Sequence, residues 1–383
     1  MIETLRPTST RIKVTSVTSK KELQQFIDFP HELYRHDANY VPELFIAQRD
    51  MLTKGKHPFH EHSEITMFMA WKDGQLAGRI AAIRNNNHNA FNHTKDGFFG
   101  FFDCINDQEV SDALLDAAEN WLKEQGLNTI IGPCNFSTNE TCGLLIEGFD
   151  SSPVIMMTYN SPYYIELLEN AGLREKVTLI AYNITDAQLD DRPLRMMPVL
   201  KERLAKRGIK IRKINLKNFE HEVAMLRNVY NSAWDENLGF VPMTEPEFDY
   251  LAKDMKLILD DNFCLVAELN GEAIGFALCL PDMNQIFKTI RKGRLLPTGL
   301  FKLLFNKKKA KGLRVIALGV LAPYRKLGIE ACFYGELIEK GRANGFTRAE
   351  ASWILEHNDL MNKALLHINA DPYKRYRIYE KAI

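Results

Sequence analysis

The sequence predicts an α/β protein made of two tandem units, each a mixed, mainly antiparallel sheet flanked by helices. Three observations carry that expectation. The chain repeats itself: "FMAWKDGQLAGRIAAI" (68–83) lies on "LVAELNGEAIGFALCL" (265–280) without a gap, at an offset of 197 residues. Both copies read as strand, Asp-Gly or Asn-Gly turn, strand, a strong short hairpin signal. Each hairpin then leads into strand–helix–strand crossovers, which mix parallel with antiparallel pairing.

Taken in order, each unit reads strand, two helices, three strands, helix, strand, helix, strand over about 180 residues. Before the hairpin, "YVP" (40–42) matches "FVP" (240–242), after a similar strand and helix. After it, "FFGFFD" (98–103) pairs with "VIALGV" (315–320), and a helix follows each, ending at Gly126 or Gly345. The last helices align as "YNSPYYIELLENAG" (159–172) on "HNDLMNKALLHINA" (357–370). "KRYRIY" (374–379) reads as the final strand, with its basic side chains outward and Ile378 packed. The segment 186–208 is polar, then amphipathic, and ends at Gly208, which predicts a helical connector. The expected boundaries are an N-terminal unit at 1–185, the connector at 186–208 and a C-terminal unit at 209–383. One continuous sheet shared by both halves is the alternative.

Composition narrows the class. Lys plus Arg equals Asp plus Glu at 49 each, so no global charge points to nucleic acid or membrane. No run reaches the 18 or so apolar residues of a transmembrane helix. The start, "MIETLRPTSTRIKV", lacks the apolar core of a secretory signal. Six scattered cysteines with no CxxC pair suit reduced thiols better than disulfides or zinc. Together these predict a cytoplasmic protein without a metal site.

The stretch "VLAPYRKLGIEA" (320–331) holds the clearest candidate chemistry. An apolar strand ends at Val320, a proline turn follows, and Arg-x-x-Gly leads into a helix. A helix N-terminus presents unpaired N–H groups and the positive end of its dipole, and a preceding glycine lets a phosphate approach. Glu330 stands where a second small residue would suit an anion better; it complements the dipole with no anion bound. Its counterpart in the first half, "DCINDQEVSDALL" (103–115), has no Arg-x-x-Gly, and Asp107, Glu109 and Asp112 would repel a phosphate.

The order of elements, "ALGVLAPYRKLGIEA" (317–331) and "WILEHNDLMNKALL" (353–366) resemble the GCN5-related N-acetyltransferase (GNAT) superfamily. Both halves look like a group of uncharacterised bacterial members that carry the fold in tandem, the resemblance covering nearly the whole chain. It implies an acyl-CoA N-acyltransferase that moves an acyl group, most simply acetyl, from CoA to a small-molecule or peptide amine. A backbone N–H near Val320 would hold the thioester carbonyl. The N–H groups of Arg325, Lys326, Leu327, Gly328, Ile329 and Ala331 would cradle the pyrophosphate, and Asn358 would touch the pantetheine arm. The first half would have no such site. The family's helical tyrosine is replaced by Leu365, and by Leu167 in the first half. Rival readings are a transferase taking its acyl group from charged tRNA, as in peptidoglycan cross-bridge formation, and a catalytically silent ligand-binding protein.

Four other stretches bear on the site. Glu350, Ser352 and Glu356 share one face of a strand at period two, and Glu356 at its end is the candidate general base. The alternative for that face is solvent, or pairing with Arg348. In "CNFSTNET" (134–141), Asn135, Ser137, Asn139 and Glu140 are candidates to line the acceptor pocket. "RNNNHNAFNH" (84–93) reads as a loop without metal-binding spacing. The insertion 284–314 has ten Lys or Arg and no acid, alternating with apolar residues. It would suit anionic lipid, tRNA or CoA phosphates, but the expectation is that its apolar face covers the sheet.

Overall fold

The computed structural model describes residues 11–233 and 240–383, so the stretch 1–10 examined for a signal lies outside it. The chain begins β1 (Ile12–Ser16), α1 (Lys20–Leu33), α2 (Phe45–Leu52), β2 (Glu64–Lys72) and β3 (Gln75–Arg84). Ser19 and Glu22 close a reciprocal capping box at the start of α1. The β2–β3 turn sets Asp73 at φ 52° and Gly74 at φ 80°, the two positive angles that match hairpin twist. Next come α3 (Asn86–Asn92), β4 (Asp96–Cys104), α4 (Gln108–Glu124), β5 (Thr129–Gly132), β6 (Leu144–Glu147), α5 (Tyr164–Asn170) and β7 (Arg174–Thr185). The stretch expected to be a loop at 84–93 is thus mostly the short helix α3. The Asn85 side chain accepts the His88 N–H to start it, and His93 ends it at φ 56°.

Helix α6 (Arg192–Lys206) connects to β8 (Ile209–Lys213), α7 (Phe219–Ala233), α8 (Glu245–Lys256), β9 (Cys264–Leu269) and β10 (Glu272–Pro281). The second hairpin repeats the first, with Asn270 at φ 53° and Gly271 at φ 88°. The chain ends α9 (Asn284–Phe287), α10 (Leu300–Asn306), β11 (Gly312–Val320), α11 (Ile329–Ala343), β12 (Arg348–Leu355), α12 (Asp359–His367) and β13 (Asp371–Ala382).

All of these strands join one sheet, in the order β1-β2-β3-β4-β5-β13-β7-β12-β11-β10-β9-β8, with β6 also paired to β13. Among the described residues only the pairs β4–β5 and β11–β12 are parallel. The final strand of each half lies against the other: β13 runs between β5 and β7, and β7 between β13 and β12. Tyr376, Ile378 and Tyr379 of β13 are therefore buried among N-terminal residues such as Phe101, Leu145 and Leu168. At the other end, α7 covers one face through Leu226 and Val229, and α6 and α11 cover the opposite face through Leu204, Phe333 and Leu337.

Two side chains depart from the alternation read in the sequence. Lys374 is not outward but buried, its ammonium donating to the carbonyls of Gly148 and Ser151. The loop 148–151 supplies these acceptors, which compensate a charge otherwise costly to bury. Glu350 faces neither solvent nor Arg348. It is 1% exposed and accepts from the Tyr373 hydroxyl, while Arg348 donates to Asn183 and Tyr373.

Candidate functional site

Strands β11 and β12 pair only from Gly312↔Arg348 to Val315↔Ala351. Beyond that point β11 keeps its partner β10 as far as Val320, so its other edge is open from Ile316 onward. Arg314 sits at the base of this fork. Its buried guanidinium donates to Ser352 Oγ at 3.0 Å and the Ser352 carbonyl at 3.1 Å. It also donates to the carbonyls of Ile155 at 2.9 Å and Met156 at 3.0 Å. Burial lowers the Arg314 pKa, and the nearby Glu350 carboxylate opposes that shift. The fork is therefore held by one cation that ties both strands to a loop from the first half.

At the open end of β11, residues Ala322–Tyr324 make a single turn and Gly328 begins α11 at φ 95°. That angle suits glycine, and a Cβ there would also meet Leu200 Cδ2 of α6 at 2.9 Å. Among the described residues no side chain caps the helix, so its first-turn N–H groups have the geometry that binds anions. Arg325 and Lys326 are exposed beside it, and Arg325 Nε donates to the Val320 carbonyl at 3.1 Å. Glu330 stands in the first turn.

A cavity of about 340 Å³ joins the fork to both faces of the sheet. Its wall is mostly apolar, with Leu226 from α7, Phe248 and Met255 from α8, Ala317 from β11, Leu337 from α11 and Leu365 from α12. Into it the polar loop of the first half brings Thr138, Asn139 and Glu140. The loop is docked by Asn139, whose amide donates to the Val241 carbonyl at 2.9 Å and accepts from Tyr230 at 2.8 Å. The dehydrating wall, with the Glu247 and Asp254 carboxylates near, pushes the Glu140 carboxyl up to about 8. Asp186, the other carboxylate on the wall, is paired with Arg342 at 2.5 Å.

The structure brings some sequence candidates together and separates others. Asn139, Glu140 and Asn358 share the cavity, where Asn358 also caps α12 by accepting the Met361 N–H. Asn135 and Ser137 shape the loop instead: Asn135 accepts the Phe101 N–H at 2.9 Å, and Ser137 accepts that of Asn139 at 3.1 Å. Val320, Arg325, Lys326, Leu327, Gly328, Ile329 and Ala331 form the turn just past Leu318, which lines the cavity. Glu356 lies apart from them, exposed beyond β12, with its carboxylate accepting the Thr178 N–H at 3.0 Å. Arg314 entered the sequence analysis only as the last of the ten cations in 284–314; its signal as a site residue is an arginine near the start of an apolar strand.

The corresponding fork in the first half is filled. There β4 and β5 pair only through Phe98↔Ile131, after which Cys134 N–H donates to the Phe99 carbonyl at 2.7 Å and Asn135 takes the Phe101 N–H. A Cβ on Gly100 would meet the Cys134 carbonyl oxygen at 2.2 Å, so backbone packs on backbone where the other fork is open.

Residues 224–364 match the model of the acetyltransferase (GNAT) family. Over nearly full length the chain is 37% identical to Protein YghO of Escherichia coli K12, covering 97% of this chain and 95% of that one. It is 33% identical to the bacterial ceramide synthase of Caulobacter vibrioides, covering 98% and 99%. Among solved structures, a tandem GNAT protein from the clavulanic acid biosynthesis pathway superposes with a TM-score of 0.58 at 10% identity, covering 97% of this chain and 98% of that one.

Proposed function

From the premise that this chain belongs to the GCN5-related N-acetyltransferase superfamily, with the fold in tandem, we propose that it is an N-acyltransferase joining a long fatty acyl group from acyl-CoA to the amine of a long-chain base. The observation that carries this reading is the apolar cavity at the β11–β12 fork. An acetyl group needs no such wall, whereas burying a methylene gains about 0.8 kcal/mol, so a long chain draws binding energy along its length. The name of the Caulobacter relative points the same way, a ceramide being the amide of a fatty acid and a long-chain amino alcohol.

The residues present fit a CoA donor. The uncapped α11 and Gly328 would receive its pyrophosphate with Arg325 and Lys326 beside it, while Glu330 in the first turn is of like charge. The pantetheine arm would lie along the open edge of β11 towards Asn358. Glu140 is the general base in this reading. It takes a proton from the ammonium; the freed amine attacks the thioester carbonyl, the C–N bond forms, the C–S bond breaks, CoA leaves as thiolate, and the nitrogen releases its second proton to water. The sequence pointed first to acetyl and to Glu356; the cavity wall supports a longer chain and Glu140.

The test is a series of saturated acyl-CoA donors from C2 to C18 with sphinganine as acceptor, following amide by mass spectrometry and free thiol by colour. Amide yield that rises with chain length, and falls at least tenfold in Gly328→Glu, is expected. Equal or better turnover of acetyl-CoA would sink the long-chain reading.

A further inference from the structure

The basic insertion does not hide its apolar residues. Only part of it packs: Ile286, Ile290 and Leu303 turn inward, while Leu296, Phe301, Leu304 and Phe305 are 77%, 61%, 65% and 77% exposed. Leu257, just after α8, is 76% exposed, and Lys307 donates to its carbonyl at 2.7 Å, which fastens the two stretches into one surface. Phe301 and Phe305 stack on consecutive turns of α10, their centroids 6.4 Å apart. The expectation that this apolar face covers the sheet therefore fails for α10.

Charge surrounds these apolar groups. Lys292 and Arg294 are spent on Glu32 and Asp28, and Arg294 also lies over the Phe45 ring, which holds the insertion against the first half. Among the described residues, Lys302, Lys307, Lys308 and Lys309 have no acidic partner. Of the ten cations in this 31-residue stretch, which holds no acid, Arg314 is buried at the fork, and Lys302 and Lys307–Lys309 are left beside the exposed apolar face. Phenylalanine and leucine ringed by lysine is the composition that enters the headgroup boundary of an anionic bilayer. A second copy of this chain would set lysines against lysines, which disfavours self-association. The same surface adjoins the cavity, because Met255 and Leu259, on either side of Leu257, line it.

We propose that the surface formed by Leu257, Leu296 and α10, with Lys302 and Lys307–Lys309, docks the protein peripherally on anionic phospholipid membranes, with the cavity close to the bilayer. No helix among the described residues is long and apolar enough to cross a membrane, so the contact is interfacial. The inference rests on the surface alone; the substrate reading only supplies its use.

The test is flotation of the full-length protein with vesicles of phosphatidylcholine, with or without 30% phosphatidylglycerol. Binding confined to the anionic vesicles and weakened by salt is expected. Each lysine near such a surface contributes about 1 kcal/mol, roughly fivefold in affinity, so reversing Lys307, Lys308 and Lys309 to Glu should weaken binding at least 100-fold. Phe301→Ser with Leu304→Ser and Phe305→Ser should weaken it more than tenfold while leaving the melting curve unchanged, since all three side chains are exposed. Phe301→Trp should shift its emission to the blue on anionic vesicles. Unaltered binding by both multiple variants, an unshifted tryptophan, or no vesicle binding by the parent protein would overturn the proposal. So would a lipid-free dimer dissolved by the triple Ser variant, which would make the patch a protein interface. Vesicle binding needs no catalysis, so it can hold when the acyl-transfer assay fails, and the reverse.

Discussion

Ionising Glu140 costs more in the folded protein than in water, because the cavity wall strips solvent from it and Glu247 and Asp254 stand near. As the base, it works only once ionised, so the rate should rise with pH to a plateau above about 8. Glu140→Gln should lower kcat by roughly 100-fold or more and flatten that limb. The same shift has a stability signature. The folded protein keeps a proton that the unfolded chain releases, so this group's contribution falls as pH rises from 4.5 to about 8. Glu140→Gln should then melt higher than the parent at pH 8.5 and close to it at pH 4.5; the reverse order would remove Glu140 from the buried wall. The loop 134–141 was legible as polar and as a candidate to line a pocket. Which of its members reaches the cavity was not, because Asn139 is aimed by Tyr230 and Val241, far along the chain.

The hairpins were the readable elements, since each is specified within a few residues. Asp73-Gly74 and Asn270-Gly271 both adopt the positive angles their residue types favour. The fork is a different matter. Its strands carry ordinary apolar patterns, and the point where they part depends on Arg314 reaching Ile155 and Met156 of the other half. Ala317 lies on the fork's open edge and on the cavity wall, so its side chain measures the room available. Ala317→Trp should shift the preferred acyl donor to shorter chains at a stability cost of about 1–3 kcal/mol. The ratio of kcat/KM for C16 to C4 donors is the readout, and an unchanged ratio would place the acyl chain elsewhere.

Strand β13 lends three buried side chains to the N-terminal core and pairs with β5, β6 and β7 at once. A fragment of residues 1–208 lacks that strand and should show no cooperative thermal transition by itself. Calorimetry of the intact chain should give one transition, whereas two well-separated transitions would mean that the halves are independent. The repeat announced two copies of a pattern. It did not reveal that the last strand of each lies against the other, because an alternating strand pattern fits several edges equally well.

The sequence by itself determined what is local: the repeat, the two Asn/Asp-Gly hairpins and the glycine turn at Gly328. Each depends on backbone angles or on periodicity within one segment, which the residues carry wherever they fold. Tertiary structure decided what faces what. It buried Lys374 under loop carbonyls, opened one fork and filled its twin, and left the apolar side of α10 in water. The buried lysine and the filled fork depend on groups brought from 226 and 34 residues away, because burial and desolvation are properties of an enclosure and not of a segment.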